Sequence, residues 1–418
     1  MKKRIFSRGL GKASWAVTDQ SLFVSSNFVL SMLLARWLAP QGYGAFTLVY
    51  TVFWLTATFH TALLTEPMLV FIPGKYRART SEYLSVLIYG NFGFAALCSV
   101  LFLIAGLSLK FGNVDTSSSS LLALAFASPF IFFLWLMRRA CYATLKPHLA
   151  ALGGFLYMVL MLAGAYLLYR SGLLSAATAF GLMGFASLLS GLLITVGLRV
   201  SLSLPAKDGL ASEAFKSHWS YGRWLASMGI LVWISMQVYY LVLPAWWGLE
   251  ATATLRALMN LVLPAMHGYT ALSIILTPAL VRARGSDELG RLARLALSVF
   301  VFTAFVYWAA LGLLHGPLTT WLYKGQYSEY SGLLWLLGLL AVFAALETAL
   351  SAVLRAFERP DYLFWAYVPS TIISVTAGVG LTAVWGITGA AVGLCLSYAA
   401  IVGTIAYTTV RKVELVRK

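Results

Sequence analysis

A chain of 418 residues that is 60% hydrophobic and 11% charged, with a mean hydropathy of +0.83, carries too little charge to cover a water-soluble globule of its size. Its formal net charge of +16 invites a nucleic-acid partner, but 25 of the 30 lysines and arginines fall in alternate connections between apolar segments. That alternation is the positive-inside pattern of a polytopic membrane protein with both termini cytoplasmic, so no nucleic-acid partner is expected.

Twelve segments of about 20 mostly apolar residues can be placed along the chain. The first half gives 13–35, 45–72, 83–107, 121–142, 149–169 and 176–198, with the first pair joined by a tight turn, Ala39-Pro40-Gln41-Gly42-Tyr43-Gly44. The polar stretch from Arg199 to Ser220 is the longest connection and the natural boundary, giving expected lobes 1–205 and 206–418. The second half gives 221–247, 250–280, 292–314, 332–354, 362–384 and 388–410, followed by a basic tail. The expected architecture is all-α, with two six-helix lobes related by a pseudo-two-fold axis along the membrane normal.

A weak internal echo supports the duplication. His60-Thr61-Ala62-Leu63 lies over Tyr269-Thr270-Ala271-Leu272, the turn Gln41 to Gly44 lies over Glu250 to Ala253, and Lys146-Pro147 lies over Arg359-Pro360. No connection between segments has room for a folded external domain, so the activity is expected inside the helical bundle. Pro67, Pro244, Pro264 and Pro278 interrupt apolar segments, and each removes a backbone hydrogen bond.

Charged residues within apolar segments are costly, which makes them candidates for function. Asp19, Glu66 and Glu347 each sit six or seven residues from the cytoplasmic end of a segment, about 10 Å deep at ~1.5 Å per residue. Arg138, Arg139 and Arg355 fall close to the same level. One reading makes the three carboxylates a gate or coupling set and the arginines an anion site. The other makes them ion pairs that fasten the inner ends of helices.

Arg36 and Arg256 lie toward the opposite face, against the charge rule, and suggest a second anion site. Asn27, His60, Gln237 and His267 are placed to hydrogen-bond a sugar, to shuttle protons or to tie helices together. Trp233, Tyr239 and Tyr240 are placed to line a cavity or to pack. Cys98, Cys141 and Cys395 are isolated, no metal-ligand spacing or nucleophile elbow occurs, and no Walker A loop is present. No metal, cofactor or enzymatic activity is therefore expected.

The first hairpin, from Asn27-Phe28 through Leu33-Leu34-Ala35-Arg36-Trp37-Leu38-Ala39-Pro40-Gln41-Gly42-Tyr43-Gly44, resembles the opening of a known family. Thr65-Glu66-Pro67-Met68 and the closing Trp385-Gly386-Ile387-Thr388-Gly389-Ala390-Ala391-Val392-Gly393 add to the likeness. The family is the polysaccharide transporters of the multidrug/oligosaccharidyl-lipid/polysaccharide (MOP) flippase superfamily, which includes the Wzx-type O-antigen flippases. The resemblance implies a V-shaped pair of lobes in a bacterial inner membrane, working by alternating access with ion-gradient coupling. The substrate it implies is an undecaprenyl-diphosphate-linked oligosaccharide bound in a cationic cavity, for which Arg36, Arg138, Arg139 and Arg256 are the candidates. Membrane lipids, a polysaccharide polymerase and glycosyltransferases are the implied partners. Three alternatives remain open: a cation-coupled multidrug antiporter of the same superfamily, a membrane glycosyl polymerase or ligase, and an accessory membrane protein without transport.

Overall fold

A computed structural model describes residues 2–112, 114–200, 209–284, 286–357 and 361–417, and among these every regular element is helical. The expected boundary at 205/206 and the Arg359-Pro360 pair lie outside the described residues. Nine continuous stretches among the described residues are long and apolar enough to cross a membrane, which makes this a multi-pass membrane protein. Two of them hold two helices each: 210–282 bends at Gly248 and 361–409 bends at Gly386. With Lys2–Trp37 ahead of the nine, the expected twelve long helices are present.

In chain order the twelve long helices begin with α1 (Lys2–Trp37), α2 (40–71), α3 (Thr80–Phe111), α4 (Asp115–Ala143), α5 (Pro147–Arg170) and α6 (Ala176–Leu198). There follow α7 (210–247), α8 (249–282), α9 (Asp287–Leu313), α10 (Leu339–Ala356), α11 (361–385) and α12 (387–417). Gly248 has φ 79° and Gly386 φ 57°, left-handed values that cost a residue without Cβ little and break each helix between two spans.

Packing divides the chain into two units. One comprises 1–38 and 48–230; the other comprises 39–47 and 231–418. The helices α2 and α7 are thus each shared between units.

Two local expectations change. The turn from Ala39 to Gly44 is mostly helix, because Pro40 sits at the first helical position, where a missing N–H costs nothing, and α2 starts there. The polar connection expected up to Ser220 is helical from Leu210 onward. Its residues Ala214, His218, Gly222 and Ala226 recur every four positions and are buried in the first unit. The stripe supplies the burial that the charged residues between them conceal in a hydropathy reading.

Pro67 produces a specific distortion rather than a simple kink. Residues Thr61–Thr65 of α2 form a π-turn, closed by the Glu66 amide donating to the carbonyl of Thr61, five residues back. In a regular helix the Leu63 carbonyl would accept from residue 67, which as proline has no N–H. His218 Nδ1–H from α7 donates to it instead, at 2.6 Å. With Nδ1 as donor, Nε2 is an acceptor, and it takes the hydroxyl of Tyr83 on α3. Gly222, one turn further along α7, completes the seat: a Cβ there would lie 2.5 Å from the Ala62 carbonyl.

Candidate functional site

In the first unit, α1 passes against α5 closely enough that glycine is required. A Cβ on Gly154 would lie 2.8 Å from the Asp19 carboxylate. That approach carries Asp19 inward to zero exposure, and α4 presents Arg138 to it. The contact is two-pronged, with Arg138 Nε donating to Oδ1 at 3.1 Å and Nη2 to Oδ2 at 2.8 Å. Tyr142, one turn after Arg138 on α4, donates its hydroxyl to Oδ2 as well. The Arg138 guanidinium also rests 3.8 Å from the centre of the Phe23 ring. The carboxylate is therefore neutralised, and three donors satisfy it.

Arg139, the next residue of α4, points elsewhere and meets Glu66 of α2 at 3.1 Å. This pair is far more open: its side chains are 43% and 36% exposed, against 10% and 0% for Arg138 and Asp19. Glu66 follows immediately on the π-turn, so its direction is set by that turn.

Deeper in the same unit, Asn27 donates to the Phe23 carbonyl at 2.9 Å and accepts from the Tyr157 hydroxyl at 3.1 Å. His60 meets the Asn91 side chain at 2.8 Å, wholly buried and stacked on Phe132. Arg36 closes α1 beside Trp37, whose ring stacks on Tyr169 at 4.5 Å.

In the second unit the expected residues are dispersed. Glu347 lies half-buried on α10, with Arg355 about two turns further along the same helix. Arg256 lies half-buried on α8. Gln237 lies half-buried on α7. Tyr239 is fully buried and packs rather than lining a cavity: its hydroxyl meets Ser397 at 3.2 Å, and Ser397 meets Ser374 at 2.6 Å. The repeat is visible in side-chain chemistry. His60 ties α2 to α3 through Asn91, and its counterpart Tyr269 ties α8 to α9 through Thr303 at 3.2 Å.

Of the nine candidates, the structure brings together Asp19 with Arg138 and Glu66 with Arg139, and sets Asn27 two turns along α1 from Asp19. Arg36, Arg256, Gln237 and Glu347 do not join them in one cluster within a unit. Sequence reasoning missed Tyr142, Phe23 and Tyr157. Tyr142 was accessible, since it stands four residues after Arg138 and shares its face. Among the described residues no group of three or more His, Cys, Asp or Glu side chains is placed to hold a metal.

No family model matches the sequence, and no curated protein does. Solved structures do. An inward-facing multidrug resistance MATE family transporter of the MOP superfamily aligns with a TM-score of 0.80 at 14% identity, over 96% of this chain and 99% of that one. The lipid II flippase MurJ in an inward closed conformation aligns at 0.74 and 12% identity, over 95% and 87%. A MOP superfamily transporter from Pyrococcus furiosus, whose description reports reversed polarity of the binding pocket, aligns at 0.66 and 13% identity, over 97% and 95%. At such identities the likeness establishes a shared fold.

Proposed function

We propose that the protein moves an anionic lipid-linked oligosaccharide, of the undecaprenyl-diphosphate-sugar class, across a bacterial inner membrane by alternating access. The observation that carries this reading is the state of the carboxylates in the first unit. A cation antiporter needs an acid free to exchange a cation, whereas Asp19 is saturated by Arg138 and Tyr142, and Glu66 is matched by Arg139. What the half-exposed pair offers a substrate is a guanidinium that trades one carboxylate for a diphosphate, whose oxygens suit its paired N–H donors. In this reading Arg139 is the first diphosphate contact, Arg36 and Arg256 serve later in the path, and Asn27 and Gln237 contact sugar. Glu66, released when Arg139 changes partner, takes up a proton, and Glu347 provides the corresponding carboxylate in the second unit. The polymerase and glycosyltransferases that make and use such lipids are the proposed partners.

The MATE neighbours favour a second reading, a cation-coupled multidrug antiporter. Reconstitution in liposomes separates the two. The flippase reading expects labelled undecaprenyl-diphosphate oligosaccharide to change leaflets with wild type and about tenfold more slowly with Arg139→Ala. Absent flipping, with proton- or sodium-driven efflux of a cationic dye from the same vesicles, assigns the protein to the antiporters.

A further inference from the structure

We propose that the groove between the end of α2 and the start of α7 binds the phosphate headgroup of an anionic membrane phospholipid, and that occupancy holds the first turns of α7 on α2. The groove is open, offers about 710 Å³ and lies wholly within the first unit. Its polar lining is Lys75, Lys216, Ser217 and Ser220, and its apolar lining includes Phe71 and Trp224. Two ammonium groups and two hydroxyls match a phosphate, and the remaining volume with its aromatic wall matches a glycerol and the first methylenes.

The surroundings specify a lipid rather than a dissolved anion. Phe215, Trp219 and Trp224 on the same helical turns are 71%, 53% and 68% exposed, large apolar faces of the kind that sit at a membrane–water interface. Arg223 lies over the Trp224 ring at 5.4 Å and adds a third cation to this end of α7. Among the described residues the acid facing Lys75 is Glu213, at 2.8 Å, and Ser217 accepts from Lys75 at 2.9 Å. That pairing, chiefly its hydrogen bond, raises the Lys75 pKa above the usual lysine value, so the group is cationic at any working pH. Its side chain and that of Glu213 are both about half exposed, so a phosphate can take the place of the carboxylate without any change in the fold.

The consequence for α7 follows from its division. Residues 210–230 pack in the first unit and 231–247 in the second, so any ligand bridging Lys75 of the α2–α3 connection to Lys216 and Ser217 of α7 strengthens the first attachment alone.

The test uses the full-length protein in vesicles and a binding readout, so it stands or falls separately from the transported substrate. Tryptophan quenching is titrated with brominated phosphatidylglycerol and, in parallel, brominated phosphatidylcholine, and the Trp224 share is taken as the difference from Trp224→Phe. Wild type is expected to prefer the anionic lipid, and Lys75→Gln/Lys216→Gln to lose the preference by about 25-fold, since each lysine near a charged surface counts for about fivefold. Lys110→Gln, at the far end of α3, should leave it unchanged. If the double variant does not fold, Lys216→Gln alone, which keeps the Lys75–Glu213 pair, should lose about fivefold. Equal quenching by the two lipids overturns the site, as does a lysine variant that keeps the wild-type preference. Loss of the wild-type preference on adding millimolar inorganic phosphate at constant ionic strength would overturn the lipid assignment in favour of a soluble anion.

Discussion

Arg138 and Arg139 are neighbours on one helix, yet they have been put to different uses. A single residue step turns a side chain about 100° around α4. For Arg138 that direction is the packed interior, where Asp19, Tyr142 and Phe23 enclose it; for Arg139 it is the half-open face that holds Glu66. Desolvation makes the difference energetic. A buried charge stripped of its partner is strongly destabilising, while an exposed pair is worth little and exchanges readily. Adjacent positions thus provide one fixed and one adjustable guanidinium, and sequence alone cannot say which is which.

The largest effect that would break this comparison is expected at the buried pair. Asp19→Asn or Arg138→Leu should destabilise the protein by about 3–5 kcal/mol, seen as loss of folded material in a thermal unfolding series in detergent. Changing both to Asn and Leu should cost less than the sum of the single changes, because neither charge is then stranded. Equal stability of the single variants and wild type would show that Asp19 is solvated.

A smaller effect is expected from the packing that delivers Asp19. Gly154→Ala places a methyl group 2.8 Å from the carboxylate, so α1 and α5 must separate, at a cost of about 1–3 kcal/mol by the same unfolding measurement. His218→Ala strands the Leu63 carbonyl and the Tyr83 hydroxyl together, and a loss of about 1–3 kcal/mol is expected. His218→Gln, which retains a donor, should recover part of it.

The smallest stability change, and the most informative one, belongs to the open pair. Arg139→Ala and Glu66→Gln should each shift stability by under about 1 kcal/mol while slowing lipid translocation in liposomes. The exchange Glu66→Arg/Arg139→Glu should restore stability but not transport, because the guanidinium then sits on the wrong helix. A variant pair that loses folding and transport in proportion would make Arg139 structural after all.

Much of the fold was legible because membrane helices announce themselves by length and hydropathy, and because 25 of the 30 basic residues fall in alternate connections. The depth argument brought Asp19 and Glu66 to the level of Arg138 and Arg139, which is where they meet. It did not give the pairing, since axial depth leaves rotation about each helix undetermined, and rotation is what buries Arg138 and exposes Arg139. The start of α7 was hidden for a related reason. Lys216, Glu213 and Ser217 read as loop, while the stripe of Ala214, His218, Gly222 and Ala226 that seats the helix is composed of small or polar residues with little hydropathy of their own. The partnership of Pro67 with His218 spans 151 positions of sequence, and nothing local to either residue signals it.

The π-turn at Thr61–Thr65 amounts to one residue more than a regular helix would need between the two ends of α2. Deleting any single residue of that turn would therefore leave a continuous α-helix with the same partners upstream. Everything downstream would be rotated by about 100° and drawn in by about 1.5 Å. Glu66 would turn away from Arg139, and Lys75 would be carried off its partners on α7. The surplus residue acts as a phase shifter for the helix, setting the azimuth of every side chain from Glu66 to the α2–α3 connection.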